Sequence, residues 1–232
     1  MIAQQCCAFG VDKLKLDLDA SKGFKKVEQI TIFNDTSDEE IFVTAKSFSW
    51  AMDVKNALLL GPTSDIEIFP SMQKIPARGT ATFKVRYSGA ELKGEKTYRL
   101  RFDQISVPKA LSTDPSDTSL KSVVEGKSVV GMAITVPVYV VDFSQKSDAA
   151  EKVSAMMKSE ASGELTVHVD NVGDRHVEIA AVRIDGVTQK SSLGVVLAKS
   201  TRIFPLSTAK VKKVELNVTC GDSSQWVVVS KG

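Results

Sequence analysis

The sequence predicts an all-β protein made of two immunoglobulin-like β-sandwich domains. Apolar and polar residues alternate with a period of two along most of the chain, as in half-buried strands. Clusters of Gly, Pro, Asn and Asp separate these segments at short intervals. No segment longer than a few turns carries the apolar stripe of an amphipathic helix, which disfavours the α/β folds of most nucleotide enzymes.

The first predicted sandwich covers residues 11–143. It begins with alternation at Leu14, Leu16 and Leu18, and similar strands continue to Trp50. Three segments with basic residues on the polar face follow, at residues 66–70, 82–87 and 98–102, and a Val-rich segment at 129–141 ends the domain. About seven short strands in a domain of this length are typical of an immunoglobulin-like sandwich.

A polar stretch at residues 144–162 predicts a linker, with a helical turn as an alternative for its Ala-, Met- and Lys-containing part. Alternation then resumes, and turns at 171–174 and 185–186 separate further strands. Residues 163–232 therefore predict a second, smaller β-sandwich.

Composition excludes several functions. The chain has 232 residues and a formal net charge of +2, which gives no field strong enough to predict nucleic-acid binding. Residues 1–10 are interpreted as a signal remnant or a disordered N-terminus, because they lack a basic start and a long apolar run. No other segment is long and apolar enough for membrane insertion.

The motifs of common enzymes are missing or incomplete. Residues 126–128 resemble the end of a phosphate loop, but the position five residues earlier is Lys121 where that motif needs glycine. His168 and His176 are the only histidines, and we interpret both as surface residues without a third metal ligand. The chain is therefore predicted to be a binding protein and not an enzyme, with no cofactor and no metal.

The segment at residues 129–141 is the strongest candidate for function. Val130, Met132 and Ile134 share one face with three later valines, and Pro137 predicts an edge or a bulge because it cannot donate to a β-ladder. An exposed apolar edge favours pairing with a partner. The same composition also fits a central core strand that is buried on both faces.

The order of several motifs resembles the periplasmic pilus-assembly chaperones of the chaperone–usher pathway, the PapD-like family. The first-domain motifs are a strand ending in proline at 66–70, a Pro/Gly turn at 75–79, a basic strand at 83–87 and a Tyr-Arg strand at 98–104. Residues 165–171 and 197–204 resemble strand and turn patterns of the family's second domain.

The resemblance implies that the two immunoglobulin-like domains form a boomerang arrangement. It also implies a periplasmic chaperone that binds pilin or fimbrial subunits by donor-strand complementation and delivers them to an outer-membrane usher. Its last strand of the first domain would complete the subunit's sandwich, with backbone pairing and alternate apolar side chains supplying the affinity. The donor candidates are Val130, Met132 and Ile134, with Val124 included if the pairing begins earlier. The resemblance leaves open a self-dimer when no subunit is bound.

The same resemblance implies that basic residues anchor the subunit's C-terminal carboxylate. Lys22 is the candidate for one of them, with a solvated turn lysine as its alternative. Thr135 stands where the family usually carries a second one, which indicates a divergent branch. The other function considered is a structural or adhesive tandem of immunoglobulin-like domains, in which residues 129–141 are simply core; a secreted enzyme is a third.

Overall fold

The protein folds into two β-sandwiches, as the sequence predicts. The computed structural model describes residues 9–21, 26–35, 40–90, 92–105, 131–144, 148–160, 163–189, 192–206 and 211–232. These residues form nineteen strands and a short 3-10 helix. No helix within these ranges has the length and apolar character needed to cross a membrane.

The first sandwich contains ten strands. They are β1 (Phe9–Val11), β2 (Leu16–Asp19), β3 (Val27–Asn34), β4 (Ile41–Met52), β5 (Leu58–Pro62), β6 (Ile66–Phe69), β7 (Met72–Ile75), β8 (Thr80–Tyr87), β9 (Lys96–Ile105) and β10 (Ala133–Val141).

Two sheets enclose the core of this sandwich. One has the strand order β1-β3-β8-β6, and the other has the order β2-β10-β9-β4-β5, with β7 also paired to β4. The alternation seen in the sequence explains the packing, since β8 places every second residue, from Ala81 to Tyr87, in the interior. Phe83 and Phe102 meet across the two sheets with ring centroids 5.3 Å apart.

The second sandwich contains nine strands. They are β11 (Val153–Ser159), β12 (Leu165–Asn171), β13 (Val177–Ile184), β14 (Val187–Gln189), β15 (Gly194–Val196), β16 (Ser200–Leu206), β17 (Val214–Cys220), β18 (Ser223–Val228) and β19 (Ser230–Lys231). The sheets have the orders β16-β12-β11-β19 and β14-β13-β17-β18, and β15 pairs with β13.

Some segments differ from the sequence prediction. Phe9, in the predicted N-terminal remnant, belongs to β1 and is buried in the first core. The stretch predicted as a linker contains the 3-10 helix Ala149–Lys152 and also β11, which pairs with β12 along its whole length. Ala149 and Ala150 are buried in the second core, so this stretch belongs to the second sandwich by packing.

Candidate functional site: an open strand edge beside the domain junction

Strand β10 is paired along only part of its second side. On one side β9 runs antiparallel to it from Ala133 to Val140. On the other side the parallel strand β2 covers only Val138 to Val141. Among the described residues, therefore, no strand pairs with the outer side of residues 133–137.

One hydrogen bond to β9, made by the residue just before β10, shows which main-chain N–H and C=O groups of β10 face the open side. The carbonyl of Met132 accepts a hydrogen bond from the Gln104 N–H at 2.9 Å, so the main chain of Met132 points toward β9. Because the main-chain direction alternates along a strand, the N–H and C=O groups of Ala133 and Thr135 point toward the open side. Pro137 supplies only a carbonyl there, and it lies where β2 begins to cover the strand.

The side chains of β10 change from half-buried to buried along the strand. Val136 and Val138 are buried in the first core, whereas Met132 and Ile134 pack against that core and stay partly accessible. The predicted shared face is therefore present in the structure. The alternative of a core strand buried on both faces describes residues 138–141 only, since all four are buried and residues 138–140 are paired on both sides.

Two of the predicted donor residues, Met132 and Ile134, lie at the open part of β10. Val124 and Val130, the other donor candidates, and Lys22, the predicted carboxylate anchor, lie outside the described residues. Thr135, the position that departs from the family pattern, is exposed, and its hydroxyl oxygen accepts a hydrogen bond from Arg99 Nη1 at 3.0 Å.

Arg99 brings a cation to the open edge, although the sequence analysis did not select it. Its guanidinium lies over the Trp50 ring, 4.4 Å from the centroid, and Trp50 also contacts Tyr139 with ring centroids 5.8 Å apart. Desolvation lowers the pKa of Arg99, but an arginine keeps its charge at any physiological pH. Arg99 Nε and Trp50 Nε1 are both buried donors that have no hydrogen-bond partner among the described residues.

Buried donors without partners are rare in folded proteins, and each costs about 1–3 kcal/mol. Two such donors lie in one contacting pair, so an acceptor placed beside them, whether a water molecule or a ligand group, would offset this cost. A carboxylate suits this place, because it combines acceptor oxygens with a charge opposite to that of the guanidinium.

The same strand also reaches the junction with the second sandwich. Trp50, Tyr139 and Val141 form a buried cluster with Leu197 of the second sandwich. The Tyr139 ring stacks on the imidazole of His176, with centroids 3.7 Å apart and planes inclined by 19°. Burial raises the pKa of the Tyr139 hydroxyl well above its usual range, so this side chain remains neutral.

A buried carboxylate forms hydrogen bonds across this junction. The Glu95 side chain is fully buried, and it accepts a hydrogen bond from the backbone N–H of His176 at 3.0 Å. Its second oxygen lies 2.6 Å from His176 Nδ1, and the Glu95 N–H donates to the carbonyl of Asp174 at 2.9 Å. We call Glu95, His176 and Tyr139 the junction latch.

The interpretation of both histidines as surface residues is wrong. The side chains of His168 and His176 are only 19% and 21% exposed. A histidine next to a turn in the sequence suggests exposure, but the partner of His176 lies 81 residues earlier and gives no local signal. Arg99 was missed for a related reason, since the sequence does not distinguish it from other basic residues on the predicted polar faces.

Comparison with solved structures identifies the fold in two steps. The strand orders and the paired cores define a tandem of immunoglobulin-like sandwiches. Solved structures that share this tandem across nearly the whole chain are chaperones of pilus assembly, so the chain has the fold of the chaperone–usher pilus chaperones, as its motif order implied.

Three of these structures illustrate the likeness. One is the CsuC–CsuE chaperone–tip adhesion subunit complex from the archaic chaperone–usher Csu pili of Acinetobacter baumannii, with a TM-score of 0.67, 17% identity, and coverage of 97% of this chain and 100% of that one. The SafA pilin–SafB chaperone complex of Salmonella enterica gives a TM-score of 0.64, 11% identity, and coverage of 98% and 99%. The E. coli chaperone DraB gives a TM-score of 0.61 and 12% identity, with coverage of 97% of this chain and 97% of that one.

No protein-family model matches the chain, and no curated protein matches it at the level of sequence.

Proposed function

We propose that this protein is a periplasmic chaperone that binds a pilin subunit through the open edge of β10 and delivers it to an outer-membrane usher. The observation that carries the proposal is that, among the described residues, no strand pairs with the outer side of residues 133–137. An exposed edge of this kind is normally avoided, because it recruits other strands. Its presence favours strand addition as the mode of binding.

The chemistry of the open edge fits strand addition. Ala133 and Thr135 offer main-chain donors and acceptors to an incoming strand, whereas Met132 and Ile134 offer apolar side chains on the face toward the core. The energy for such a step comes from the partner's own folding, and it needs no nucleotide.

We further propose that Arg99 binds the terminal carboxylate of the subunit. Arg99 lies beside the open edge through its bond to Thr135, and its Nε is buried without a partner. A bound carboxylate would satisfy this donor and fix where the incoming strand ends. Lys22 as the anchor remains a prediction from the resemblance.

The central experiment is co-expression with the pilin subunit from the chain's own gene cluster. We expect a soluble one-to-one complex for the native chain, and none for the double variant Met132→Asp and Ile134→Asp, because two carboxylates on the apolar face would have to be desolvated in the complex. Size-exclusion chromatography measures the complex, and circular dichroism of the free variant checks its fold.

The control is Val228→Asp, which adds a carboxylate at an exposed apolar position of β18 in the second sandwich. It should form the complex like the native chain. If the double variant unfolds when free, residues 132 and 134 act as core and the adhesive tandem becomes the better hypothesis. If it folds and still forms the complex, the binding site lies elsewhere.

A further inference from the structure

A row of exposed polar residues crosses the outer face of the sheet that contains the open edge. Thr135 of β10 lies directly opposite Arg101 of β9, and Arg101 lies directly opposite Lys46 of β4. All three are exposed. We call these three residues the cross-strand row; it begins at the open edge and runs away from it across three strands.

The row places two like charges opposite each other. Directly opposed like charges on neighbouring strands destabilise a sheet. Asp103 relieves part of this cost, since its Oδ1 lies 2.7 Å from Arg101 Nε. Lys46 forms no ion pair with any described residue. Arg99 lies two residues before Arg101 in β9, so the area around the row carries the three cations Lys46, Arg99 and Arg101 and the carboxylate of Asp103.

The row ends at a shallow cleft. Strand β5 pairs with β4 from Phe48 onward, and β7 pairs with it only up to Thr44. Between them the Ala45 N–H donates to the Ser71 carbonyl at 2.8 Å, but no strand of the described residues pairs with residues 45–47 on this side. A cleft of about 310 Å³ opens there. Lys46 stands beside the apolar side chains of Phe48, Pro62 and Ile68 in its lining.

We propose that the cross-strand row and this cleft bind an acidic segment of the partner, with a carboxylate at Lys46 and an adjacent apolar side chain in the cleft. The proposal rests on the proposed function, since the partner is the subunit whose strand pairs with β10. Two features support it: the unbalanced positive charge calls for carboxylates, and the row is continuous with the open edge. The partner's terminal carboxylate would be a separate group, bound at Arg99.

The test is Lys46→Glu, because its effects on stability and on binding have opposite signs. In the free protein a glutamate at position 46 faces Arg101 as an opposite charge, so the melting temperature should stay the same or rise. In the complex the new carboxylate faces the partner's acidic segment, so the Kd for the co-expressed pilin should rise about tenfold, mostly through a slower association. The salt dependence of binding should weaken as well.

Lys84→Glu is the matched control, since it makes the same change of charge at an exposed position of β8, on the other sheet. It should leave the Kd within about twofold of the native value. Lys46→Gln removes the charge without reversing it and should raise the Kd about threefold. It keeps the test valid if the reversal perturbs the fold.

If the Lys46→Glu variant binds the pilin with native affinity and native salt dependence, the inference is overturned. The proposed function is tested separately, because the Met132 and Ile134 double variant abolishes the complex whether or not Lys46 contributes. An equal loss of affinity for Lys46→Glu and Lys84→Glu would also overturn the inference about Lys46, because the effect would then depend only on net charge.

Discussion

Asn171 shows how one buried polar side chain holds the loops of the second sandwich. It is 1% exposed, and its Nδ2 donates to the carbonyls of Arg175, Val196 and Leu197 at 2.8, 3.2 and 3.1 Å. Its Oδ1 accepts from the Gly173 N–H at 2.9 Å. A single residue at the end of β12 therefore satisfies main-chain groups of two different loops.

We expect Asn171→Ala to lower the free energy of unfolding by about 2–4 kcal/mol, because buried main-chain groups lose their partners. Urea unfolding measures the change. Asn217→Ala is the control, since Asn217 makes an exposed side-chain hydrogen bond to Ser224, and it should cost less than about 1 kcal/mol. Equal effects of the two substitutions would contradict this role of Asn171.

Asp65 gives a pH dependence with a definite sign. Its carboxylate accepts a hydrogen bond from the Tyr98 hydroxyl at 2.6 Å, and Lys96 Nζ lies 3.4 Å away. The Tyr98 bond, followed by the contact with Lys96, lowers the pKa of Asp65. A carboxyl whose pKa is lower in the folded state stabilises the fold at neutral pH, and this contribution is lost as the pH falls through its folded-state pKa.

Asp65→Asn should therefore cost about 1 kcal/mol at pH 7, a value reduced for the partial exposure of the site. The difference from the native chain should shrink below about pH 4, where an aspartate in the unfolded chain is protonated. Urea unfolding at pH 7 and pH 3 tests this expectation, with the exposed Asp222→Asn as control. A difference that stays constant over this range would exclude the ionised form of Asp65 as the source.

At the scale of one element, the two halves of β10 differ in how they are paired. Residues 138–140 pair with both β9 and β2, Val141 pairs with β2 alone, and residues 133–137 pair with β9 alone. Because main-chain groups alternate in direction, neighbouring residues in the open half have different roles.

This alternation predicts opposite outcomes for the same substitution at adjacent positions. Ala133→Pro removes an N–H that faces the open side, so the free protein should fold with nearly native stability but bind the pilin more weakly. Ile134→Pro removes an N–H that faces β9, so it should destabilise the free protein by about 3 kcal/mol. Thermal unfolding and co-purification with the pilin measure the two effects. If both variants are equally unstable, the assigned directions are wrong.

The elements also show what the sequence can predict. The alternation from Thr80 to Tyr87 appears unchanged in the burial of β8, because a strand with one face in the core must follow a period of two. Strand β5 lacked this signal: Leu58, Leu59 and Leu60 are all more than 40% exposed, so no apolar face distinguishes it. Strand β11 was assigned to a linker because its exposed side carries Lys158 and serines.

At the scale of the whole molecule, the junction latch connects the two sandwiches through one buried carboxylate. Arg175 adds a hydrogen bond from Nη2 to the Asp142 carbonyl at 2.8 Å. A second contact lies at the β4–β5 turn, where the Ile203 N–H donates to the Val54 carbonyl at 3.2 Å and Arg202 Nε donates to Asn56 Oδ1. None of these pairs could be predicted from sequence, because their members are distant along the chain and nothing in the sequence indicates which polar residues pair with each other.

We expect Glu95→Ala to loosen the junction, because it leaves His176 and its backbone N–H without their acceptor. Small-angle scattering should show a larger radius of gyration than for the native chain, with both sandwiches still folded by circular dichroism. Glu151→Ala, at an exposed position of the 3-10 helix, is the control and should leave the radius unchanged. An unchanged radius for Glu95→Ala would mean that the second contact is sufficient.

In the proposed complex, Pro137 would limit how far an incoming strand could pair along β10. On the open side the N–H groups of Ala133 and Thr135 can donate, the tertiary amide nitrogen of Pro137 cannot, and β2 pairs with the strand from Val138 onward. Among the described residues of β10, the stretch without a partner strand on this side has five residues and spans roughly 17 Å. In the proposed complex an incoming strand would add to this stretch and not to the remainder, which β2 already pairs and where Tyr139 contacts His176.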